Sequence, residues 1–156
     1  MEFAKRVKDS YTEQIQIVHM SYLNGAKRLF GGQLMQWIDE VAAVTARRHC
    51  NQHVTTVLVD QLHFRQPAYA NDTVVLYGKI VYIGNSSMEI QVTTYVERLD
   101  GEKICINDAY VVMVAIDDKG TPVRVPRLIL ETEEERYAWK LAEERIQRRR
   151  FEQSQY

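Results

Sequence analysis

A carboxylate stands in the middle of an apolar stretch that two adjacent glycines introduce. The stretch reads Leu29-Phe30-Gly31-Gly32-Gln33-Leu34-Met35-Gln36-Trp37-Ile38-Asp39-Glu40. An ionised carboxylate is costly to take out of water unless it is paired, hydrogen-bonded or used in a reaction. We therefore treat Asp39 as the leading candidate for a catalytic group. The alternative is a structural carboxylate that caps a neighbouring backbone.

Gly31 and Gly32 can bring the main chain close to a ligand at the start of this stretch. Glycine lets a ligand approach the backbone, and the first N–H groups of a helix have no partner within the helix. Such N–H groups can point at a carbonyl oxygen as negative charge develops on it. We predict Gly32 as a catalytic donor and Gly31 as a substrate contact, unless both glycines serve only tight packing at the helix entry.

Other reactive side chains have less support from their spacing. Ser86 and Ser87 lack the G-x-S-x-G context of a catalytic serine, and the four histidines show no metal-ligand spacing. Cys50 and Cys105 form no C-x-x-C motif, which suits a reducing compartment. We expect no metal and no redox or nucleotide cofactor.

Composition and length limit the class of protein. The chain has 156 residues and a net charge of -1, so no overall field attracts nucleic acid or an anionic membrane. No segment approaches the roughly 18 apolar residues of a membrane span. We expect a single cytoplasmic domain over residues 1–156, with neither nucleic acid nor a membrane as a partner.

The elements that position these residues can be predicted from hydrophobic periodicity. Residues 32–50 predict a helix whose apolar positions cover most of its circumference, which indicates burial on nearly every side. Strands are predicted over residues 12–20, 54–64, 73–83, 88–98 and 103–116, separated by turn signals. Successive strands without an intervening helix pair antiparallel, so the pattern indicates an α+β fold with a five-stranded sheet around a central helix.

The last predicted element is a helix over residues 132–150. Its first turn is acidic and its last turn is basic, and both suit the helix dipole. The terminal arginines could form a nucleic-acid patch, but their alternation with glutamates favours a solvated helix.

Four motifs in this order resemble the hotdog-fold acyl-CoA thioesterases, a group that includes the bacterial YciA-type enzymes and the mammalian cytosolic acyl-CoA hydrolases. They are RLFGGQLMQWIDEVAAVTARRHC, VDQLHFRQPAYANDTV, VYIGNSSMEIQV and YVVMVAIDDKGTPVRVP. The resemblance covers about residues 12–137. It implies a hotdog fold and hydrolysis of acyl-CoA to a free acid and coenzyme A.

The resemblance also implies roles for single residues. Asp39 would act on the thioester as general base for water or as nucleophile. Asn24, six residues before Phe30 as in the family pattern, would orient the water or the thioester. The two residues would come from opposite protomers, which makes a homodimer the catalytic unit, and the dimers would assemble into a hexamer. A plainer reading is that Asn24-Gly25 only forms a turn.

Coenzyme A is anionic, so its contacts should come from cations and loop donors. The loop Gly84-Asn85-Ser86-Ser87 matches the family turn that lines the coenzyme A channel. Many members carry Arg or Lys where this chain has Asn85. Candidate replacements for that cation are Arg28, Arg65, Lys79, Arg124 and Arg127, of which we place Arg65 in the predicted site.

Two other functions remain open. A sensor that binds acyl-CoA without cleaving it would not need a carboxylate at Asp39. A hotdog hydratase would want a histidine base at the helix or its entry, and the chain has none between His19 and His49. Hydrolysis is therefore the preferred prediction.

Overall fold

The computed structural model describes residues 3–155. Its strands are β1 (Ala4–Arg6), β2 (Thr12–Ile17), β3 (His53–Phe64), β4 (Thr73–Ile83), β5 (Ser87–Glu97), β6 (Lys103–Ile116) and β7 (Arg127–Ile129). Its α-helices are α1 (Val7–Ser10), α2 (Gly31–Cys50) and α3 (Glu133–Gln153), and a 3-10 turn covers Met20–Tyr22. The five strands and two long helices expected from the sequence are all present.

Five strands form one antiparallel sheet in the order β2-β4-β5-β6-β3, so β2 and β3 are its edges. The short β1 and β7 pair in parallel as a separate ribbon, which the sequence did not predict. The predicted α+β fold, with a sheet around a central helix and a C-terminal helix, is confirmed. The reading of residues 1–156 as a single domain stays a prediction.

One face of the sheet packs on α2 and forms the core with it. Trp37, Ile38 and Val41 of the helix are buried in one cluster with side chains from the three strands β4, β5 and β6. The approach to β4 is close, because a Cβ atom at Gly78 would lie 2.5 Å from Thr45 Oγ1 and 2.7 Å from Val41 Cγ1. Only glycine fits between this helix and this strand without a shift.

The protomer does not bury α2 on nearly every side, so that prediction was wrong. Gly32, Gln36 and Glu40 are exposed, and Asp39 and Ala43 are only partly buried. Their spacing places them on one stripe of the helix. We call this set, together with exposed Arg47, the open stripe of α2. The prediction rested on apolar residues that occur on most sides of this helix. The sheet of the same chain covers only the side that faces away from the open stripe.

Helix α3 lies on the outer face of the sheet. Thr132 caps it by accepting a hydrogen bond from the Glu135 N–H at 3.0 Å, and Trp139 contacts Tyr82 with ring centroids 4.4 Å apart. Arg145 is buried against the sheet. A fully solvated helix was therefore the wrong prediction for that side chain.

Within residues 3–155, no helix combines the length and the apolar character that a membrane crossing requires. The cytoplasmic location stays a prediction.

Candidate active site

The start of α2 is built around its two glycines. Gln33 and Leu34 donate the first intrahelical hydrogen bonds to the Phe30 carbonyl, at 3.0 and 3.2 Å. The N–H groups of Gly31 and Gly32 precede these bonds, so they point out of the helix end. An aromatic ring lies beside each glycine, that of Phe64 beside Gly31 and that of Phe30 beside Gly32.

A Cβ atom at Gly32 would lie 2.5 Å from the Phe30 ring, and one at Gly31 would lie 3.3 Å from the Phe64 ring. Tight packing is therefore one reason for glycine at both positions. It leaves the direction of the two N–H groups unchanged, so the donor role stays a prediction.

Asp39 lies on the open stripe of α2 and faces the edge strand β3. The Thr56 hydroxyl donates a hydrogen bond of 2.6 Å to Asp39 Oδ1. The carboxylate is half-buried in the protomer. The group that holds it is a side chain of strand β3, and within residues 3–155 no backbone N–H donates a hydrogen bond to this carboxylate.

Thr56 is the site residue that the sequence did not reveal. It lies in β3, three residues before the second of the four motifs begins, and a threonine in a strand rich in β-branched residues carries no functional signal. It pairs with Met113, and the register of β3 against β6 shifts directly after it, between Thr56 and Leu58. Such a bulge re-aims side chains and cannot be read from periodicity.

Asn24 lies in an exposed turn before α2. Its Oδ1 atom accepts hydrogen bonds from the N–H groups of Ala26, at 2.9 Å, and Arg28, at 3.2 Å. Lys27 adopts a left-handed conformation with φ of 61°. The turn reading of Asn24 is therefore correct, and it also fixes the side chain: with its oxygen engaged, the amide presents its NH₂ group as the donor.

One cavity of about 330 Å³ joins Asn24, Gly31 and Arg65. The guanidinium of Arg65 lies 3.7 Å from Cys105 Sγ at the side of this cavity. Asp39 is not among the lining residues. It is eight residues beyond Gly31, which corresponds to about 12 Å along the helix axis.

The loop between β4 and β5 carries the other predicted contacts. The Gly84 N–H donates to the Ser87 carbonyl at 2.9 Å, and Ser86 accepts from the Ala115 N–H at 3.0 Å. Arg124 donates to Asn85 Oδ1 at 2.9 Å. The Arg124 guanidinium therefore lies beside Asn85. The resemblance predicts a cation at the position of Asn85 itself.

A second cavity, of about 280 Å³, opens beside this loop. Gly84, Asn85 and Ser87 line it together with Arg149 and Arg150 of α3. Arg65 is not in this group. The structure therefore separates the predicted substrate contacts into two places within one protomer.

Comparison with known proteins gives the class. Residues 26–103 match the thioesterase superfamily. The chain is 38% identical over 136 residues to a Bacillus subtilis protein named uncharacterized acyl-CoA thioester hydrolase YkhA, across 84% of this chain and 79% of that one. The chain belongs to the thioesterase superfamily.

Solved structures share the hotdog fold over almost the whole chain. A hexameric acyl-CoA thioesterase in its apo form matches with a TM-score of 0.92 and 32% identity, across 96% of this chain and 97% of that one. The Staphylococcus aureus acyl-CoA hydrolase, crystallised with butyryl coenzyme A, coenzyme A and coenzyme A disulfide, matches with a TM-score of 0.91 and 29% identity, across 97% and 93%. That hydrolase has also been crystallised with an asparagine, an aspartate and a threonine each replaced by alanine.

Proposed function

We propose that this protein hydrolyses the thioester of acyl-CoA and releases a carboxylic acid and coenzyme A. The observation that carries the proposal is the 2.6 Å hydrogen bond between Thr56 and Asp39 on the open stripe of α2. The three residues replaced in the Staphylococcus aureus hydrolase follow one another in the same order and at the same separations as Asn24, Asp39 and Thr56. The names of the relatives support the same activity.

Asp39 is proposed as the general base. Thr56 occupies Oδ1, which leaves Oδ2 for a water molecule. The water gives a proton to Asp39, and its oxygen bonds to the thioester carbon. The C–S bond then breaks, and the leaving thiolate of coenzyme A takes up a proton.

The developing charge on the carbonyl oxygen needs donors. We assign this task to the Gly32 N–H and to the NH₂ group of Asn24, whose orientation the turn fixes. Gly31 allows close approach of the substrate at the same helix end.

A carboxylate in this position can also attack the carbon itself and form a mixed anhydride, which water then cleaves. Heavy oxygen transferred from labelled water into Asp39 during a single turnover identifies that nucleophilic route. Absence of label from Asp39 is expected for the general-base route and also when water attacks the acyl carbonyl of the anhydride, so rapid-quench mass spectrometry for an acylated Asp39 distinguishes these two cases.

The site is proposed to form between two protomers. Asn24 lines a cavity at the start of α2, whereas Asp39 lies about 12 Å further along the helix and outside that cavity. A two-fold axis beside α2 and β3 would place the Asn24 of one protomer opposite the Asp39 of its partner, because such an interface is self-complementary.

Exposed apolar side chains support this arrangement. Phe30, Met35, Val57, Val59 and Phe64 are all exposed, at 37% to 55%, and all belong to α2, its entry or the edge strand β3. An edge strand with exposed apolar residues tends to pair with another chain. We propose a homodimer as the catalytic unit and a hexamer, as a trimer of dimers, as the assembly.

The phosphates of coenzyme A are proposed to bind beside the β4–β5 loop. Arg124 on Asn85 and Arg150 across the adjoining cavity supply positive charge there. Arg65 lies instead in the Asn24 cavity, so its proposed contact is with the part of the substrate near the thioester.

The test is release of free thiol from acetyl-, medium-chain and long-chain acyl-CoA by the wild-type protein and by Asp39→Asn. We expect turnover by the wild type and a fall in kcat of about 10²- to 10⁴-fold in the variant, because the base is lost. The control Glu143→Gln should retain wild-type kcat, since Glu143 is exposed on α3 and lies outside the open stripe of α2 and outside both cavities. Tight binding without thiol release would indicate a sensor, and water addition to an enoyl-CoA would indicate a hydratase.

A further inference from the structure

A buried ionic cluster joins α3 to the outer face of the sheet. Glu89 of β5 is 2% exposed and accepts hydrogen bonds from Arg145, at 3.0 and 3.5 Å, and from Arg149, at 2.5 Å. The guanidinium carbon of Arg145 lies 3.6 Å from the centroid of the Tyr110 ring. The cluster therefore fixes the C-terminal half of α3 over β5 and β6.

The same cluster reaches the edge strand β3 through Asp60. Arg148 and Arg149 lie 3.6 and 3.8 Å from Asp60 Oδ2. That oxygen is buried and accepts no hydrogen bond from any residue in the described range 3–155. Its charge is balanced by the two arginines of α3, so loss of either charge leaves the other partner uncompensated.

Asp60 lies in the least regular part of β3. The pairing of β3 with β6 shifts between Thr56 and Leu58 and again between Asp60 and His63. Gln61, between these shifts, has a φ of 57°. Between the two shifts, only the three residues from Leu58 to Asp60 pair with β6, so the ladder holds this part of β3 through a short run.

Thr56 stands at the first of these irregularities, and its hydroxyl meets Asp39. Thr56 pairs with Met113 at the end of the regular register that starts at His53, and the bulge at Val57 connects it to the run from Leu58 to Asp60. Arg148 and Arg149 of α3 form ion pairs with Asp60 on the outer face of the sheet. Thr56 lies on the inner face of the sheet, towards α2. The contact thus links the C-terminal helix to the carboxylate on the other side of the sheet.

We propose that Asp60 is a positioning residue: its attachment to Arg148 and Arg149 of α3 seats the irregular part of β3 so that Thr56 reaches Asp39. This inference rests on the proposed function, because Asp39 matters only if it serves the reaction. Buried ion pairs seldom add net stability over apolar side chains, but they select one geometry, and here the selected geometry is that of an edge strand.

Asp60→Asn tests this inference, because it removes the charge and keeps the size of the side chain. We expect kcat to fall about tenfold and KM to change less than about twofold, since the base is misplaced and the acyl-CoA contacts are not. In a Thr56→Val background the same change should lower kcat by less than about twofold, because the hydroxyl that it positions is already absent. Equal losses in both backgrounds, or no loss in the first, would overturn the proposal.

The matched control is Glu134→Gln. Glu134 also joins α3 to the sheet, through an ion pair of 3.4 Å with Lys79. This ion pair is exposed and lies in the first turn of α3, at the opposite end of the helix from Arg148 and Arg149. This variant should keep wild-type kcat. If its kcat falls like that of Asp60→Asn, general loosening of α3 explains both results and the specific role of Asp60 is wrong.

Amide hydrogen exchange gives a readout that does not depend on catalysis. Exchange in peptides that cover residues 53–64 should become faster in Asp60→Asn and stay unchanged in Glu134→Gln. Unchanged exchange in Asp60→Asn contradicts the positioning role whatever the activity. A wild-type protein that releases no thiol contradicts the proposed function instead, so the two failures are distinguishable.

Discussion

Asp39 could be singled out from the sequence as a candidate site residue, and its hydrogen-bond partner Thr56 could not. A carboxylate in an apolar helix is conspicuous because its burial is costly, whereas a threonine is an ordinary residue in a strand. The contact between them spans 17 residues of chain and lies directly before a bulge in β3. Periodicity predicts which face a strand residue occupies, but it does not predict an extra residue in the ladder.

Asn24 is a different case, because the structure confirms its turn and its catalytic role stays a prediction. The sequence offered a turn or a polar contact to substrate as alternatives. In the structure the turn engages the side-chain oxygen and leaves the NH₂ group as donor. The turn therefore determines which hydrogen bonds a proposed catalytic amide can make.

Replacement of Thr56 tests its contribution to the reaction. Thr56→Val keeps the β-branched shape but removes the hydroxyl that orients Asp39, so we expect kcat to fall about tenfold with little change in stability. Thr56→Ser keeps the hydroxyl and should retain most of the activity. Steady-state thiol release from both variants measures the difference, and equal activity of Val and Ser variants would show that the hydrogen bond is unimportant.

At the scale of elements, the length of a helix or strand determined whether it could be predicted from the sequence. The long strands and the two long helices follow clear periodicities, whereas β1, α1 and β7 have three or four residues each and are too short to show one. The burial of α2 was predicted wrongly for the protomer. The sequence shows that most sides of this helix are apolar. It does not show whether the same protomer or another one covers each side.

The C-terminal end of α2 provides a prediction about pH. His49 is fully buried, and one of its ring nitrogens lies 2.8 Å from the Pro126 carbonyl. Burial lowers the pKa of His49 from its ordinary value of 6.5. The unfolded chain therefore binds a proton at a pH where the folded protein does not, and the contribution of His49 to stability is lost as the pH falls below about 6.5.

Denaturant unfolding between pH 7.5 and about pH 5 measures this effect. His49→Gln should flatten the part of the fall in unfolding free energy that lies below about pH 6.5. His53, which is exposed at the start of β3, gives the matched control. His53→Gln should leave the wild-type pH dependence in place, and a flattened profile in this variant would contradict the assignment to His49.

At the scale of the whole molecule, both edges of the sheet expose apolar side chains, and on β2 these are Ile15 and Ile17, exposed at 58% and 54%. The edge strand β3 carries Val57 and Val59, exposed at 55% and 37%, next to the open stripe of α2. This surface supports the proposed dimer. The sequence could indicate it only through the resemblance, because exposure of an apolar residue is a property of the folded chain.

Val57→Asp should separate the dimer and abolish turnover, because a charge buried at the interface without a partner is costly. Light scattering with size-exclusion chromatography measures the mass, and thiol release measures the activity. Leu99 is the control: it is fully exposed at the tip of the β5–β6 turn, and Leu99→Asp should keep both mass and activity. An active Val57→Asp monomer would show that one protomer holds a complete site.

The most direct measurement mixes two inactive variants, Asn24→Ala and Asp39→Ala, and allows their subunits to exchange. If each site takes Asn24 from one protomer and Asp39 from its partner, every heterodimer has one intact site and one site that lacks both residues. Random exchange at equal concentrations should then restore about a quarter of the wild-type rate. No recovery, with subunit exchange confirmed by mass spectrometry, would contradict the shared site.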